Sequence, residues 1–460
     1  MVVSEKWIHM VGIGGIGMSG IAVVLNRMGI RVSGSDLSVT EITRRLQNEG
    51  VIVYQGHNAA NLHPDVELMV VSSAIPPDNP EVQAAGQMSI PIIKRGEMLA
   101  RLLNKCHGIA IAGAHGKTTT TSMISSILEH GDLDPTFIIG GELQESRLNA
   151  KLGQGRYLIA EADESDASFL GLYPYVAVVT NVSDDHLDHY GSVEKIRAAF
   201  HQFVSQVRPD GFSLLYSGDK CLAQLRNTDS RILYYGADEQ DDYYYKDIRS
   251  NGIGSVFQVY RRGIFLGEIQ LRLPGVHNVL NALAAVAVGY ELGVEFDSIR
   301  QALRNFSGAR RRFEVVGKMN GITVIDDYAH HPVEIEATID AARQFHNNRL
   351  IVIFQPHRYS RTQLLGSQFQ EVFQDSDVVI ITDIYAAGEK PIPGVSGELI
   401  YNSVQLGGCN AIYIPNKDDV VDYLMRVVQS NDLIITMGAG DIWQTGTRIV
   451  EELFQKFPQA

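Results

Sequence analysis

Twice in this chain an apolar, β-branched run breaks into a glycine-rich turn and re-emerges as a helical pattern. Trp7–Val11 leads into Gly12-Ile13-Gly14-Gly15-Ile16-Gly17, and Gly108–Ile111 leads into Gly113-Ala114-His115-Gly116-Lys117-Thr118-Thr119. A strand delivered into a tight glycine turn and then a helix is the opening of a βαβ unit. The chain is therefore expected to be α/β.

The same alternation continues beyond each turn. Further strands are expected at Arg31–Ser35, Val51–Tyr54, Leu68–Ser72 and Ile90–Ile93, with a helix near Ser19–Met28 and a closing one over Gly96–Asn104. After the second turn come strands at Tyr157–Ala160, Val176–Thr180 and Phe212–Tyr216. Tyr243–Leu273 changes to period-two strands around a tight turn at Arg262–Gly263, a small antiparallel addition, before a helix over Val279–Leu292. A third start near Phe313–Val316 leads to strands at Leu350–Phe354, Val378–Thr382, Ala411–Ile414 and Leu433–Met437. At roughly 100–200 residues per domain, 460 residues predict about two to four domains. The three starts divide them into residues 1–106, 107–312 and 313–460.

Composition narrows the function. The 39 basic and 53 acidic residues leave a net charge of −14, which disfavours a general nucleic-acid binder because that needs a basic face. A local nucleotide site needs only a few donors and stays open. Cys106, Cys221 and Cys409 are too few and too scattered for a disulfide framework or a closely spaced zinc site, as expected in a reducing cytoplasm. No basic-then-apolar leader precedes Gly12 and no apolar run is long enough to cross a bilayer, so a soluble intracellular protein is expected.

The two turns carry different chemistry. Gly12, Gly14 and Gly17 give GxGxxG, which lets the backbone approach a diphosphate at a helix N-terminus. Asp36 ends the next strand, where an acid meets ribose hydroxyls in dinucleotide folds. A purely structural glycine turn is the alternative. In the second turn the backbone of Gly113, Ala114, His115, Gly116 and Thr119 would wrap phosphates, Lys117 would reach the β and γ oxygens, and Thr118 would ligate Mg²⁺. Ile111 stands where the full P-loop pattern has its first glycine. Glu161 follows a strand, and Asp163, Glu164 and Asp166 come just after it. Crowded carboxylates repel unless cations compensate, so Glu161 is a candidate metal ligand, against the alternative of a solvated acidic loop. A second polar loop, Asn181 to His189, offers His186 as a ligand through neutral imidazole.

Taken in order, these loops resemble the Mur ligase family, ATP-dependent amide-forming enzymes of peptidoglycan synthesis. The motifs that carry the resemblance are His9–Gly20, Gly34-Ser35-Asp36, Ala114–Thr120, Glu161–Asp166, Asn181–His189, Leu273–Asn278, Arg311–Glu314, Asp326–Pro332 and Gln355–Thr362. The resemblance implies a Rossmann-like UDP-binding domain, a P-loop-type ATPase central domain carrying the small antiparallel sheet, and a Rossmann-like C-terminal domain that helps to hold an amino acid. It implies that L-alanine is joined to the lactyl carboxylate of UDP-N-acetylmuramate through an acyl phosphate, with ATP and Mg²⁺. By the same resemblance Lys117, Glu161, His186, His330 and Arg358 carry the catalysis, and Thr118, Glu161 and His186 hold metal. Asn278 would meet adenine, while Arg312 and Asp326 would meet ATP near its phosphates and ribose. Gly14, Gly15, Gly17, Asp36, His57, Ser72 and Ser73 would hold UDP, and Tyr328, His330, His357, Arg358 and Arg361 the amino-acid and muramyl end. Ala114 departs from the threonine often found there. The stretch Ala198-Ala199-Phe200-His201 has no lysine to be carbamylated as in later-acting members, which agrees with an alanine-adding enzyme.

Three other readings compete: the family's peptide-recycling ligase, a nicotinamide-dependent oxidoreductase using the first turn and Asp36, and a nucleotide-switched binding protein. Hydride transfer leaves the Gly116-Lys117-Thr118-Thr119 turn and its acids unexplained.

Overall fold

The computed structural model describes residues 3–183, 190–226 and 231–457, which build three sheets. The first contains β1 (Trp7–Val11), β2 (Arg31–Asp36), β3 (Ile52–Gln55), β4 (Leu68–Val71) and β5 (Ile92–Lys94), all parallel, in the order β3-β2-β1-β4-β5. The order reverses between β1 and β4, so the crevice beyond their carboxyl ends is where a sheet of this kind takes ligands. Gly12 follows β1 and Ser72 follows β4, putting both at that crevice. Every residue of β1 is buried, as parallel strands covered on both faces are.

The second sheet has the order β15-β14-β13-β12-β11-β10-β6-β9-β7-β8. Its strands are β6 (His107–Ala112), β7 (Thr136–Ile138), β8 (Ala150–Lys151), β9 (Tyr157–Glu161), β10 (Val176–Val179), β11 (Phe212–Tyr216), β12 (Ile232–Gly236), β13 (Tyr243–Asn251), β14 (Gly254–Arg261) and β15 (Ile264–Leu271). β6 runs parallel between β9 and β10, so the second glycine turn leaves from mid-sheet. Two-residue links join β13, β14 and β15, which only antiparallel neighbours can use. Arg262 and Gly263 both have positive φ, the hairpin geometry their sequence predicted.

The third sheet contains β16 (Glu314–Met319), β17 (Ile322–Asp327), β18 (Leu350–Phe354), β19 (Val378–Ile381), β20 (Ala411–Tyr413) and β21 (Leu433–Met437), ordered β16-β17-β21-β18-β19-β20. Only β16 is antiparallel to its neighbour. The sequence reading stopped β16 at Val316 and passed over β17. The signal it missed is Asn320-Gly321, both at positive φ, the dipeptide that a two-residue hairpin prefers. β7, β8 and β12 were also passed over, the first two because they are very short.

The chain divides into two compact units. One contains Met1–Ile248, Phe257–Gln270 and Leu280–Ser307; the other contains Arg249–Val256, Leu271–Val279 and Gly308–Ala460. Within the first, one apolar cluster runs from Ile8, Val24 and Leu103 to Ala110, Leu158 and Val179, so the first two sheets share a core. Polar contacts fix the first glycine turn in that unit. Asn149 Nδ2 donates to the Ile16 carbonyl at 2.8 Å and to Ser19 Oγ at 2.9 Å, and Arg45 pairs with Glu142. The helix Lys117–His130 buries a run of four threonines, a poor helix-forming run on propensity alone. Ser122 and Ser125 hydroxyls donate back to the Thr118 and Thr121 carbonyls at 2.7 and 2.8 Å, which satisfies buried polar groups inside the turn. Among the described residues, no helix is long and apolar enough to cross a membrane.

A buried carboxylate organises the underside of the first crevice. Glu81 is fully buried and accepts from Ser35 Oγ at 2.6 Å, Asn61 Nδ2 at 2.6 Å and the Asn58 amide at 3.0 Å, with His9 Nε2 at 3.2 Å. Burial works against its charge, but the hydrogen bonds from His9, Ser35, Asn61 and Asn58 prevail and hold its pKa below the ordinary 4.5. A depressed folded pKa stabilises the fold above pH 4.5 and loses that contribution as the pH falls through the folded value. Glu81→Gln is accordingly expected to cost about 1–3 kcal/mol at pH 7. Denaturant unfolding at pH 7 and again below pH 4.5 checks this; a cost that does not shrink on acidification contradicts it.

Candidate active site

The first glycine turn is held by the residue expected to reach a ribose. Asp36 Oδ2 accepts from the Gly14 amide at 2.9 Å, and a Cβ on Gly14 would stand 2.8 Å from that oxygen. Gly12 sits at φ +80 with Ser72 Cβ only 3.0 Å from where its own would be, so β1 and β4 meet there at glycine's limit. Helix Ile16–Arg27 starts directly after Gly15, three residues earlier than its pattern suggested, and no side chain among the described residues caps it. Its first amides are thus arranged for an anionic ligand. His57 turns to the buried network instead, with Nδ1 2.9 Å from Ser35 Oγ and 3.9 Å from Glu81. Ser73 is exposed beside half-buried Ser72.

The second turn is clamped from two sides. Thr180 Oγ1 donates to the His115 carbonyl at 2.6 Å, and Asn181 bonds both the amide and the carbonyl of His115 at 3.0 and 3.1 Å. Gly113, at φ +129, passes so close to Thr180 that a Cβ would lie 2.2 Å from its hydroxyl. Gly116, at φ +83, caps helix Lys117–His130 against Asn281 Oδ1, which also accepts from Thr120 at 3.2 Å. Thr118 and Thr119 are buried in its first turn.

Lys117 lies at the centre of this charge cluster. Its Nζ donates to the Gly113 carbonyl at 2.5 Å and to both oxygens of Glu164 at 2.7 and 3.0 Å. Burial opposes the ammonium, but Glu164, backed by Glu161 and Asp163, prevails and raises its pKa. Glu161 accepts from the Gly140 amide at 2.6 Å, and a Cβ on Gly140 would collide with its carboxylate. Asp163 accepts from Ser165 and pairs with Arg95 Nη2 at 2.6 Å; burial raises its pKa, but Ser165 and Arg95 bring it below the usual range. His186 falls outside the described residues. Among the described residues, no three His, Cys, Asp or Glu side chains group as a metal site by themselves. Glu161 and Thr118 supply oxygen donors, the kind Mg²⁺ takes alongside waters and phosphates.

The two turns open on one cavity of about 290 Å³. Gly15, Gly17 and Ser72 line it from the first sheet, with Lys117, Glu161 and Asp163 from the second. This is the size and lining of a small-molecule site.

The second unit holds its own cluster. Rings chain from Tyr328 to His330 (5.6 Å), to His357 (5.7 Å), to Tyr385, which stacks on His357 at 5.8 Å. His330 Nδ1 lies 3.1 Å from Glu334. Burial, then His330, Arg361 and Arg358, push the His357 pKa down to about 3, so its ring stays neutral near pH 7. Its Nδ1 is buried with no hydrogen-bond partner among the described residues. Arg358 adopts φ +66 and donates its amide to the Tyr385 carbonyl at 2.9 Å. Asp326 is engaged by Arg311 Nε at 3.0 Å and Thr436 Oγ1 at 2.6 Å, while Arg312 lies 4.0 Å from Glu334 and over the Tyr328 ring. Asn278 is buried, with Nδ2 on the Pro274 carbonyl at 2.7 Å.

Sequence reasoning missed Asn281, Arg95, Gly140 and Tyr385, and named Arg311 within a motif without giving it a role. Asn281 had a signal, as a polar side chain inside the otherwise apolar run of helix Val276–Glu291. The others depend on long-range contacts. Gly116→Ala is expected to destabilise the protein by about 1–2 kcal/mol through its positive φ and to weaken ATP binding. Gly86→Ala, on an open helix face, is expected to be neutral or to stabilise by about 0.5–1 kcal/mol. Thermal unfolding of both variants with an ATP titration checks the contrast; equal effects refute it.

Comparison with known proteins agrees with this geometry. Residues 7–107 match the Mur ligase family, catalytic domain, residues 111–289 the Mur ligase middle domain, and residues 311–440 the Mur ligase, glutamate ligase domain. The UDP-N-acetylmuramate–L-alanine ligase of Syntrophomonas wolfei is 56% identical over 452 residues, covering 97% of each chain. That of Pelotomaculum thermopropionicum is 49% identical, covering 98% of each. The solved UDP-N-acetylmuramate-alanine ligase of Thermotoga maritima superposes with a TM-score of 0.85 at 31% identity, over 98% of this chain and 100% of that one. A murein peptide ligase from Psychrobacter arcticus gives 0.71 at 25% identity, over 97% and 98%. Two glycine turns on one cavity, the acids around Lys117 and matches along nearly the whole length lead to one conclusion: the chain belongs to the Mur ligase family.

Proposed function

We infer that this enzyme joins L-alanine to the lactyl carboxylate of UDP-N-acetylmuramate, with cleavage of ATP to ADP and phosphate, in cytoplasmic peptidoglycan precursor synthesis. The observation that carries the reading is the single cavity on which both glycine turns open, for the reaction needs the sugar nucleotide's carboxylate beside the γ-phosphate. Near neutral pH a carboxylate is a poor acyl donor, because its leaving group would be oxide. Phosphorylation makes an acyl phosphate, and the amine then displaces phosphate. Positioning and charge neutralisation supply most of the rate.

In this reading residues 1–106 take UDP on Gly14, Gly15 and Gly17 with Ser72 and Ser73, Asp36 and His57 bracing that crevice. Residues 107–312 take ATP. Gly113 to Thr119 wrap its phosphates, and Lys117 exchanges Glu164 for phosphate oxygens. Thr118 and Glu161, with His186, would hold Mg²⁺, whose charge would offset the repulsion between two anionic substrates. Residues 313–460 take the amino acid: Tyr328, His330, His357, Arg358 and Arg361 surround it and the muramyl end. Asn278, Arg312 and Asp326 serve the adenine, phosphate and ribose of ATP. A neutral His357 suits a site that must receive an uncharged, nucleophilic amine.

A coupled phosphate-release assay tests the reading. Release is expected only with ATP, UDP-N-acetylmuramate and L-alanine together; release with a tripeptide and not with L-alanine would favour the peptide-recycling reaction. Lys117→Ala is expected to lower turnover by at least ~10³-fold with an unchanged circular dichroism spectrum. Near-wild-type turnover would remove the second turn from the chemistry.

A further inference from the structure

We propose that Arg95 is a substrate-binding residue of this ligation, its guanidinium receiving an anionic group of the sugar nucleotide, either the diphosphate or the lactyl carboxylate. The proposal rests on the ligase reading above. Arg95 lines the shared cavity between the two turns. On one side its Nη1 stands 3.2 Å from where a Cβ on Gly17 would be, at the uncapped start of helix Ile16–Arg27. On the other its Nη2 pairs with Asp163 at 2.6 Å.

Charge singles it out. Among the described residues lining the cavity, the cations are Lys117 and Arg95, and the anions are Glu161 and Asp163. Lys117, on the second turn, is bonded to the Gly113 carbonyl and to Glu164 of the loop after β9. Arg95 is therefore the cation beside the first turn, where an anionic substrate would otherwise face Asp163 unshielded. A guanidinium carries five N–H donors in a planar fork, so it can keep Asp163 and still bind a carboxylate or phosphate. The fork is also held in place. Helix Arg95–Leu103 presents Gly96 so close to Ser168 that a Cβ would stand 2.3 Å from the serine Cβ, which ties Arg95 to the acid-bearing loop. Its side chain remains 20% exposed, toward solvent that a ligand can displace.

Initial-rate phosphate release by the full-length enzyme is the test, with calorimetric titration of UDP and of UDP-N-acetylmuramate alongside. Arg95→Ala is expected to raise KM for UDP-N-acetylmuramate at least about tenfold, as loss of charge-assisted hydrogen bonds does, with KM for ATP and L-alanine within about twofold. Arg95→Lys is expected to recover part of the loss, since it restores charge without the fork, and it carries the same comparison should the alanine variant not fold. Weaker UDP binding as well assigns the contact to the diphosphate; a loss confined to UDP-N-acetylmuramate assigns it to the carboxylate. An unchanged KM with unchanged affinities overturns the proposal, as does a parallel rise in all three KM values with a lower Tm. Wild-type enzyme that releases no phosphate would instead overturn the ligase reading.

Discussion

The charge balance around Lys117 is the constraint on which the rest of the site depends. An ammonium held this deep is costly unless carboxylates compensate it, and Glu164, with Glu161 and Asp163 behind, does so at 2.7 Å. Those acids are in turn tolerable next to one another only because Lys117, Arg95 and the Gly140 amide share their charge. Neither set is stable without the other. Replacing Glu164 with another anion would preserve that balance.

The turn itself is held still. Thr180 and Asn181 grip His115 from the end of β10, while Asn281, from another helix, accepts from Thr120 and fills the space a side chain on Gly116 would need. Each clamp is short-ranged and directional, so the geometry of the turn is inherited from the sheet and not from the ligand. The first crevice uses the same device with the sign reversed. There Glu81 is buried among donors, and Ser35 links it to His57, so an internal anion stiffens the sheet beneath the first glycine turn. The second unit relies on ring contacts. His357 stacks on Tyr385, meets His330 edge-on and is held neutral, next to arginines that supply the positive charge.

Much of this could be read in the chain beforehand, and the reason is the range of the forces. Gly12, Gly113 and Gly116 all adopt the positive φ their spacing implied, because a tight turn between strand and helix is a local steric problem. Lys117 and Thr118 were legible for the same reason, being the residues next to that turn. Glu161 was legible because it ends β9. Where reading failed locally, at the Asn320-Gly321 hairpin, the signal was present and passed over.

By itself the sequence determined an α/β chain with two glycine turns, each set between a strand and a helix, since backbone sterics and hydrophobic alternation act over a few residues. Tertiary structure decided which groups share the site. Arg95 reaches Asp163 across 68 positions and Thr120 reaches Asn281 across 161, and no local pattern encodes such pairings. It also decided that the Lys117 ammonium bonds Glu164, and not its neighbours Asp163 or Asp166, in the loop beyond β9. Burial, finally, exists only once the chain is folded: it pushes the His357 pKa down, whereas at Glu81 the hydrogen bonds that folding gathers from His9, Ser35, Asn61 and Asn58 overcome burial and hold the pKa low.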